Sequence, residues 1–528
     1  MTDRMVIHGG KVCDGSGAEP RELDILIEGG KIAEVGAPGS FDAAEAEKID
    51  ATGLLTVPGF IDAHSHGERA KMRYPENRSK LLQGITTEVD GNCGVSWSCI
   101  PYELDGKWRW EGLAGYAEVV NQRGCSTNTV ILCGHNSIRE KVMGRRNALA
   151  GADELAAMRK FLERALENGA AGWTTGLTYF PGKFSDTAEL TALGEVTRGT
   201  KRVYATHMRS EGDDLIAAVK EAVEIARAGS GILEVSHIKT IFPRNFHKLD
   251  ELLETLEAAR ASGLTVYADR YPYVYSSTII SQTLPEPYFH DPEIAAKLRA
   301  SEAFQDEITE ALKHSPRDLA TTIMMKKKRT LAEIAEEDGI SIERACMREI
   351  MERSGSAAFL CMSEDNMRRL VAQPWVCCGT DSVSMQLDDP AYIGHPRSVG
   401  SFPRFFRVVS ELCGVGEAVR RMTALPAEIF GIPDRGLIRR GCVADLALIE
   451  SDKFDSLGYD LVLCAWEIAR LIHPDVVTPD MLPTGAIDYY PTYEGAVVSG
   501  DDYLAYSSSV EEERNTTTFT GVNTNPSR

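Results

Sequence analysis

Short apolar runs that alternate with helical stretches constrain the fold of this chain most strongly. Eight such runs follow one another from residue 60 onward, and the segments between them carry apolar residues at helical spacing. The runs are residues 60–66, 85–93, 129–135, 171–177, 202–207, 232–237, 264–270 and 375–381. Alternating strands and helices build a parallel sheet, and eight strands are the number that closes a (β/α)8 barrel. The sequence therefore predicts an α/β fold with a TIM-type barrel over residues 58–430.

The segments outside this pattern predict further parts. Residues 1–57 contain short strands separated by Gly-rich turns, and residues 431–490 contain a turn and a strand that could complete the same small β-sandwich domain from the other chain end. About a hundred residues separate the seventh and eighth runs, far more than a βα loop needs. We expect an inserted subdomain or lid over residues 282–370, and a flexible polar tail over residues 491–528.

Composition narrows the classes of function. The 528 residues carry 57 basic and 78 acidic side chains, and the resulting net charge of -21 argues against a nucleic-acid or anionic-membrane partner. The first residues lack the apolar segment of a signal peptide, and no run reaches membrane-spanning length. The twelve cysteines show no CxxC pair or dense spacing, which is typical of reduced thiols. These features predict a cytoplasmic enzyme without a nucleic-acid or membrane partner.

Side chains that bind metals end several of the predicted strands. They are His64 and His66 in the first run, Cys93 in the second, His207 in the fifth and His237 in the sixth. Because the active site of such a barrel lies at the C-terminal ends of its strands, we expect these side chains to converge. Structural histidines and a buried apolar cysteine are the alternatives, but only 11 histidines occur in the chain and several fall at strand ends. The neighbours Gly91, Asn92 and Gly94 predict that Cys93 is exposed.

Imidazole and thiolate are the ligands that zinc prefers. Cys93, His207 and His237 would form a three-ligand site with an open position for water, which is typical of a catalytic centre. Asp381 follows Gly379 and Thr380 at the end of the eighth run, where a carboxylate could take a proton from water and return it to a leaving amine. The alternative for Asp381 is an ordinary helix N-cap.

Seven short motifs are spread through most of the predicted barrel. They are Pro58 to His66, Gly91 to Ser96, Gly176 to Gly182, Thr206 to Glu211, Val235 to Lys239, Tyr271 to Tyr273 and His395 to Arg397. Together they resemble the amidohydrolase superfamily and, within it, the N-acyl-D-amino-acid deacylases, also called D-aminoacylases. In most members of the superfamily a carboxylated lysine bridges two metals, whereas in D-aminoacylases a cysteine takes that role. Cys93 occupies the matching position.

The resemblance implies a role for each candidate residue. Cys93, His207 and His237 would hold one tightly bound zinc, and His64 and His66 with Cys93 would form a weaker or vacant second site. Asp381 would be the general base and acid. The residues around the substrate carboxylate would be Tyr179, Lys239, Tyr271 and Arg397, and the two cations among them suit an anion.

Departures from the family pattern leave the substrate preference open. Ser382 follows Asp381 where the family usually has glycine. Glu88 and Asp90 bring charges into a strand that is commonly apolar, and Arg270 directly precedes Tyr271.

The predicted function is zinc-dependent hydrolysis of the linear amide bond of N-acyl-D-amino acids, giving a carboxylate and a D-amino acid. The preference for D over L comes from the resemblance alone. One alternative is a cyclic-amide hydrolase of the hydantoinase or dihydroorotase type, which a carboxylated lysine would favour. The other is a non-catalytic scaffold that retains the barrel for protein contacts. The acyl group, the side chain of the substrate, the number of metals and the oligomeric state are left open.

Overall fold

The computed structural model describes residues 4–41, 46–285, 288–291, 293–327, 329–353, 355–385, 395–452, 454 and 462–463. Eight parallel strands form one sheet in this part of the chain, and each pairs with its neighbours in sequence order. These barrel strands are Phe60–Asp62, Ile85–Asp90, Asn128–Gly134, Gly172–Gly176, Val203–His207, Ile232–Val235, Thr265–Arg270 and Val376–Cys378. The eight predicted strands are all present.

Backbone hydrogen bonds join the first barrel strand to the eighth. The amide of Ala63 donates to the carbonyl of Cys378 (3.2 Å), and the amide of Asp381 donates to the carbonyl of His64 (2.8 Å). Because these bonds bring the two edges of the sheet together, the sheet closes as a barrel. The prediction of a TIM-type barrel is confirmed.

Helices surround the barrel and bury one face against it. They include Leu113–Arg123, His135–Met143, Ala152–Glu167, Thr187–Gly194, Leu215–Ala228, Leu249–Ala261, Glu364–Val371, Arg397–Cys413, Val415–Met422 and Ala424–Phe430. The helix Leu215–Ala228 shows the sequence logic, because its buried residues Leu215, Val219, Ala222 and Ile225 recur at helical spacing. Shorter helices, Glu68–Arg73 and Arg78–Leu81, follow the first barrel strand.

The segments that precede and follow the barrel in the sequence together form a small β domain. One sheet contains Lys31–Gly36, Asp24–Glu28, Arg4–His8 and Glu47–Asp50, and the other contains Val462–Leu463, Leu446–Ile449, Leu55–Pro58, Lys11–Val12 and Arg21–Glu22. Leu446–Ile449 pairs antiparallel with Leu55–Pro58, so the later segment completes the earlier one as predicted. Apolar side chains of the two sheets, such as Ile25 and Leu448, share one core. The predicted tail, residues 491–528, lies outside the described residues.

The insertion between the seventh and eighth barrel strands has its own sheet and core. Its strands are Tyr275–Ile279, Ser356–Leu360, Ile323–Met324 and Arg329–Thr330, and its longer helices are Ile294–Ala300, Glu302–Leu312, Leu331–Asp338 and Ile342–Glu352. Leu298, Ile308, Leu331 and Phe359 are among the residues of a separate apolar cluster. The exact domain boundaries remain predictions, although the sheet of the insertion already begins at Tyr275.

No helix within the described ranges is both long and apolar enough to cross a membrane. The cytoplasmic location remains a prediction.

Candidate active site

The predicted metal ligands converge at the C-terminal ends of the barrel strands, around Cys93. Its Sγ lies 3.3 Å from Nε2 of His64, 3.4 Å from Nε2 of His237 and 3.8 Å from Nδ1 of His207. The donor atoms of Cys93, His207 and His237 all lie within 4.8 Å of one another. Those of His64, His66, Cys93 and Asp381 satisfy the same limit. Cys93 therefore belongs to two adjoining groups of donors.

Cys93 is buried, with an exposed fraction of 6%, so the prediction that its glycine neighbours expose it is wrong. Glycines beside Cys93 and on a neighbouring strand allow the backbones to pack closely instead. A Cβ on Gly176 would lie 2.0 Å from the carbonyl oxygen of Cys93, and one on Gly94 would lie 2.1 Å from Oδ1 of Asn136. Because these backbones approach so closely, the cysteine is enclosed by neighbouring strands.

Three of the converging residues have a left-handed backbone. The φ angle is 53° at Cys93, 39° at His237 and 48° at Asp381. Residues with a Cβ rarely adopt this region, at a cost on the order of 1–3 kcal/mol. Each of these residues comes just after a barrel strand, where the sharp turn directs its side chain into the mouth of the barrel.

Buried carboxylates contact two of the histidines at Nδ1, the ring nitrogen that faces away from Cys93. Oδ2 of Asp269 lies 2.8 Å from Nδ1 of His64, and Oε1 of Glu211 lies 3.0 Å from Nδ1 of His237. When Nδ1 carries the proton that a carboxylate accepts, Nε2 is left with a free lone pair, and in both rings Nε2 is the atom that faces Cys93. Sequence reasoning did not assign these two carboxylates, although Glu211 ends one of the quoted motifs.

The electrostatics of the cluster favour a thiolate. Burial would raise the pKa of the Cys93 thiol, but the charges of His64 and His237 and hydrogen bonds from the histidines hold it well below its ordinary value. A thiolate and imidazoles that give up their protons as a metal binds form the donor set that zinc prefers. The residues present therefore fit a zinc ion by both their geometry and their chemistry.

Asp381 lies between the histidines and Arg397. Its Oδ1 is 3.1 Å from Nε2 of His66, and its Oδ2 accepts a hydrogen bond of 2.7 Å from Nη1 of Arg397. Burial would raise the pKa of Asp381, but the charge of Arg397 and the hydrogen bond from His66 hold it well below its usual range. The carboxyl group is therefore ionised at neutral pH. No helix begins at Asp381 in the part of the chain that the structure describes, so the N-cap alternative is not supported.

The four predicted substrate residues lie around one cavity of about 440 Å³, together with His207, His237 and Asp381. They are Tyr179, Lys239, Tyr271 and Arg397. Both cations already have a carboxylate partner, because Nζ of Lys239 lies 2.5 Å from Glu211 and Arg397 pairs with Asp381. The guanidinium of Arg397 also stacks 4.8 Å from the ring centre of Tyr271. The structure thus brings the substrate residues and the proposed ligands to the same opening.

A buried ionic cluster lies beneath this site. Nζ of Lys80 is 2.6 Å from Asp62 and 2.7 Å from Oγ1 of Thr380, and Nζ of Lys71 is 2.6 Å from Asp90 and 3.1 Å from Glu88. The ionised side chains of this cluster are fully buried. The charges that depart from the family pattern at positions 88 and 90 are therefore compensated by two lysines, which sequence reasoning missed.

The cluster connects the two strand ends that carry the site. Oδ1 of Asp62 accepts hydrogen bonds from the backbone amides of His64 (3.2 Å) and Thr380 (2.8 Å). Since Thr380 directly precedes Asp381, this carboxylate holds His64 and Asp381 in a fixed relation.

Comparisons with known proteins agree with this arrangement. The family model described as "Amidohydrolase family" matches residues 47–314. The chain is 34% identical to N-acyl-D-glutamate deacylase of Alcaligenes xylosoxydans xylosoxydans, over 85% of this chain and 87% of the relative. It is 31% identical to D-aminoacylase of the same organism, over 84% of this chain and 88% of the relative. Among solved structures, N-acyl-D-glutamate deacylase of Bordetella bronchiseptica superposes with a TM-score of 0.73 at 30% identity, covering 88% of this chain and 94% of that one.

The closed barrel, the donor cluster at its mouth and these similarities define a metal-dependent hydrolase of the amidohydrolase class. More narrowly, the chain belongs to the N-acyl-D-amino-acid deacylase family, the D-aminoacylases. The Bordetella structure is a complex with zinc and a phosphonate inhibitor that mimics the tetrahedral intermediate of the reaction.

Proposed function

We propose that this protein is a zinc-dependent enzyme that hydrolyses N-acyl-D-amino acids to a carboxylate and a D-amino acid. The observation that carries the proposal is the convergence of Cys93, four imidazoles and Asp381 beside a cavity lined by Lys239 and Arg397. The similarity to deacylases over most of the chain supports the linear amide as the scissile bond.

Cys93, His207 and His237 would hold the tightly bound zinc, and His64 and His66 would share Cys93 in a second site. Bound zinc supplies Lewis-acid chemistry, which polarises a carbonyl and makes water more acidic. The carboxylates of Asp269 and Glu211 keep His64 and His237 oriented with Nε2 toward the cluster.

Asp381 would transfer a proton from the attacking water to the departing amine. As an ionised carboxylate it accepts the proton of the attacking water, and as an acid it then donates that proton to the departing amine. Its position beside His66 and in the wall of the cavity supports this role. Arg397 keeps the carboxyl group ionised before the reaction begins.

Lys239, Arg397, Tyr179 and Tyr271 would bind the α-carboxylate of the substrate. Each cation is already held in place by a carboxylate, so it needs little reorganisation to accept a further anion.

The direct test is amine release by the zinc-loaded protein from N-acetyl-D- and N-acetyl-L-amino acids, with matched hydantoins. We expect D-selective release that Cys93→Ala abolishes and that the control Cys413→Ala retains, because Cys413 lies at the end of an outer helix. Zinc content is measured on the same samples, and we expect Cys93→Ala to lose metal.

Other outcomes would select the alternatives. Turnover of hydantoins without cleavage of the linear amides would favour a cyclic-amide hydrolase. A purified protein that holds no stoichiometric metal and stays inert after zinc addition would favour a non-catalytic scaffold.

A further inference from the structure

We propose that Arg317 binds a second carboxylate of the substrate, in addition to the α-carboxylate. This inference rests on the proposed function and specifies its substrate class. Arg317 belongs to the insertion between the seventh and eighth barrel strands, and it lines the same cavity as His237, Asp381 and Arg397. A molecule bound at the barrel mouth therefore shares its cavity with this guanidinium.

The side chain of Arg317 is fixed before any substrate binds. Its Nε donates a hydrogen bond of 3.2 Å to the carbonyl oxygen of Gln282. Its guanidinium lies 4.2 Å from the ring centre of Phe359 and 5.8 Å from that of Phe242. Two aromatic faces and a carbonyl thus hold the charge in one place without neutralising it.

Arg317 differs from the other cations of the cavity because its charge is not compensated. The paired cations are Arg209 with Glu221 at 2.9 Å, Arg244 with Asp213 at 2.7 Å, Lys239 with Glu211 at 2.5 Å and Arg397 with Asp381 at 2.7 Å. Within the described ranges no carboxylate pairs with Arg317, and its Nη1 is buried without a hydrogen-bond partner. Because Arg317 lines the cavity and has no carboxylate partner there, an anion that binds beside it gains an interaction that the free protein lacks.

The chemistry of the site favours a carboxylate. A planar guanidinium matches a carboxylate in a two-bond geometry, and the nearby cavity wall adds the polar residues Ser276, Ser277 and Gln282. The second carboxylate can belong to the amino-acid side chain, as in an N-acyl-D-glutamate or N-acyl-D-aspartate, or to the acyl group, as in an N-succinyl amino acid. In each case a neutral amide of the same shape is the natural comparison.

The experiment measures kcat/KM of the zinc-loaded full chain for two matched pairs. One pair is N-acetyl-D-glutamate and N-acetyl-D-glutamine, and the other is N-succinyl-D-leucine and its succinamoyl counterpart. We expect the wild-type protein to prefer the charged member of one pair by about ten- to a hundredfold, since a charge-assisted pair of hydrogen bonds is lost with the neutral member. The preferred pair identifies where the second carboxylate is located.

Arg317→Met keeps an unbranched apolar side chain and removes the guanidinium with its charge, and we expect the preference to fall to near one. The control is Arg244→Met, because Arg244 also stacks on Phe242 but is paired with Asp213, and we expect it to keep the preference. Wild-type cleavage of neutral N-acyl-D-amino acids with no preference in either pair would overturn the inference and leave the deacylase function standing. An equal loss for both members in Arg317→Met would also overturn it. Failure to cleave any linear amide would reject the proposed function itself.

Discussion

Oε1 of Glu211 lies 3.0 Å from Nδ1 of His237, on the side of the ring away from Cys93. The same carboxylate pairs with Lys239, so one side chain orients a proposed metal ligand and a proposed substrate cation. Burial would raise the pKa of Glu211, but Lys239 and the neighbouring histidines hold it well below its ordinary value. The proposed metal centre and the substrate-binding cluster are therefore coupled through Glu211.

Glu211→Gln should weaken metal binding. The amide keeps the size of the side chain but loses the charge that raises the basicity of His237, and loss of such a partner costs about 10- to 100-fold in metal affinity. Competition with a chelator at equilibrium measures the zinc affinity. Asp213→Asn is the matched control, because Asp213 lines the same cavity and pairs with Arg244 away from the ligands. Unchanged zinc affinity in Glu211→Gln would contradict this coupling.

Asp381→Asn should remove the chemistry and leave the metal. The substitution keeps the size of the side chain and removes the proton acceptor, so kcat should fall by roughly 10²- to 10⁴-fold. Steady-state kinetics and metal analysis on one preparation separate the two effects. Asp214→Asn, another acidic residue of the cavity wall, should retain activity. An Asp381→Asn protein that keeps its zinc and most of its activity would show that another group carries the proton.

Lys80→Met should destabilise the fold strongly. The lysine is fully buried and compensates Asp62, and removal of one partner of a buried pair costs about 3–5 kcal/mol. The free energy of unfolding, measured by guanidinium titration, reports the loss. Lys220→Met is the control, because Lys220 is exposed on the helix Leu215–Ala228 and its loss should cost within about 0.5 kcal/mol. Equal effects of the two substitutions would mean that the ionic cluster contributes no stability.

Glu88 should make the free energy of unfolding depend on pH in the acidic range. Burial alone would raise its pKa, but Lys71 and Lys80 lower it from 4.5 to about 2. Because the folded state favours the ionised carboxylate, this contribution is present above pH 4.5 and is lost as the pH falls toward 2. The stability difference between the wild-type protein and Glu88→Gln should therefore be smaller at pH 3 than at pH 7. A difference that does not change with pH would exclude this origin.

The sequence predicts the barrel well because its signals are local. Each barrel strand lies within a short, largely apolar run, and several of these runs end in a polar residue of the site. The helix Leu215–Ala228 has both a clear period and a glycine after its last residue. The pairing of Leu446–Ile449 with Leu55–Pro58 is also accessible, because both segments are short apolar strands outside the barrel pattern.

The contacts that could not be predicted from the sequence form only when the barrel closes and brings distant residues together. Asp269 supports His64 from 205 residues away, and no local pattern connects them. Lysines usually lie on the surface, and nothing in the sequence around Lys71 and Lys80 predicts otherwise. Both are nevertheless buried, where they pair with carboxylates of neighbouring strands. The burial of Cys93 was missed because glycine indicates an open turn as readily as a close approach of two backbones.

The left-handed backbone at Cys93, His237 and Asp381 has a consequence for engineering. Glycine would relax the chain at each of these positions, by about 1 kcal/mol, while deleting a side chain at the centre of the proposed site. A library screened for thermal resistance alone can therefore accept glycine wherever this relief exceeds the lost contacts of the side chain, such as the pairing of Asp381 with Arg397, and it then loses turnover. Screens on this scaffold need a selection for activity in every round.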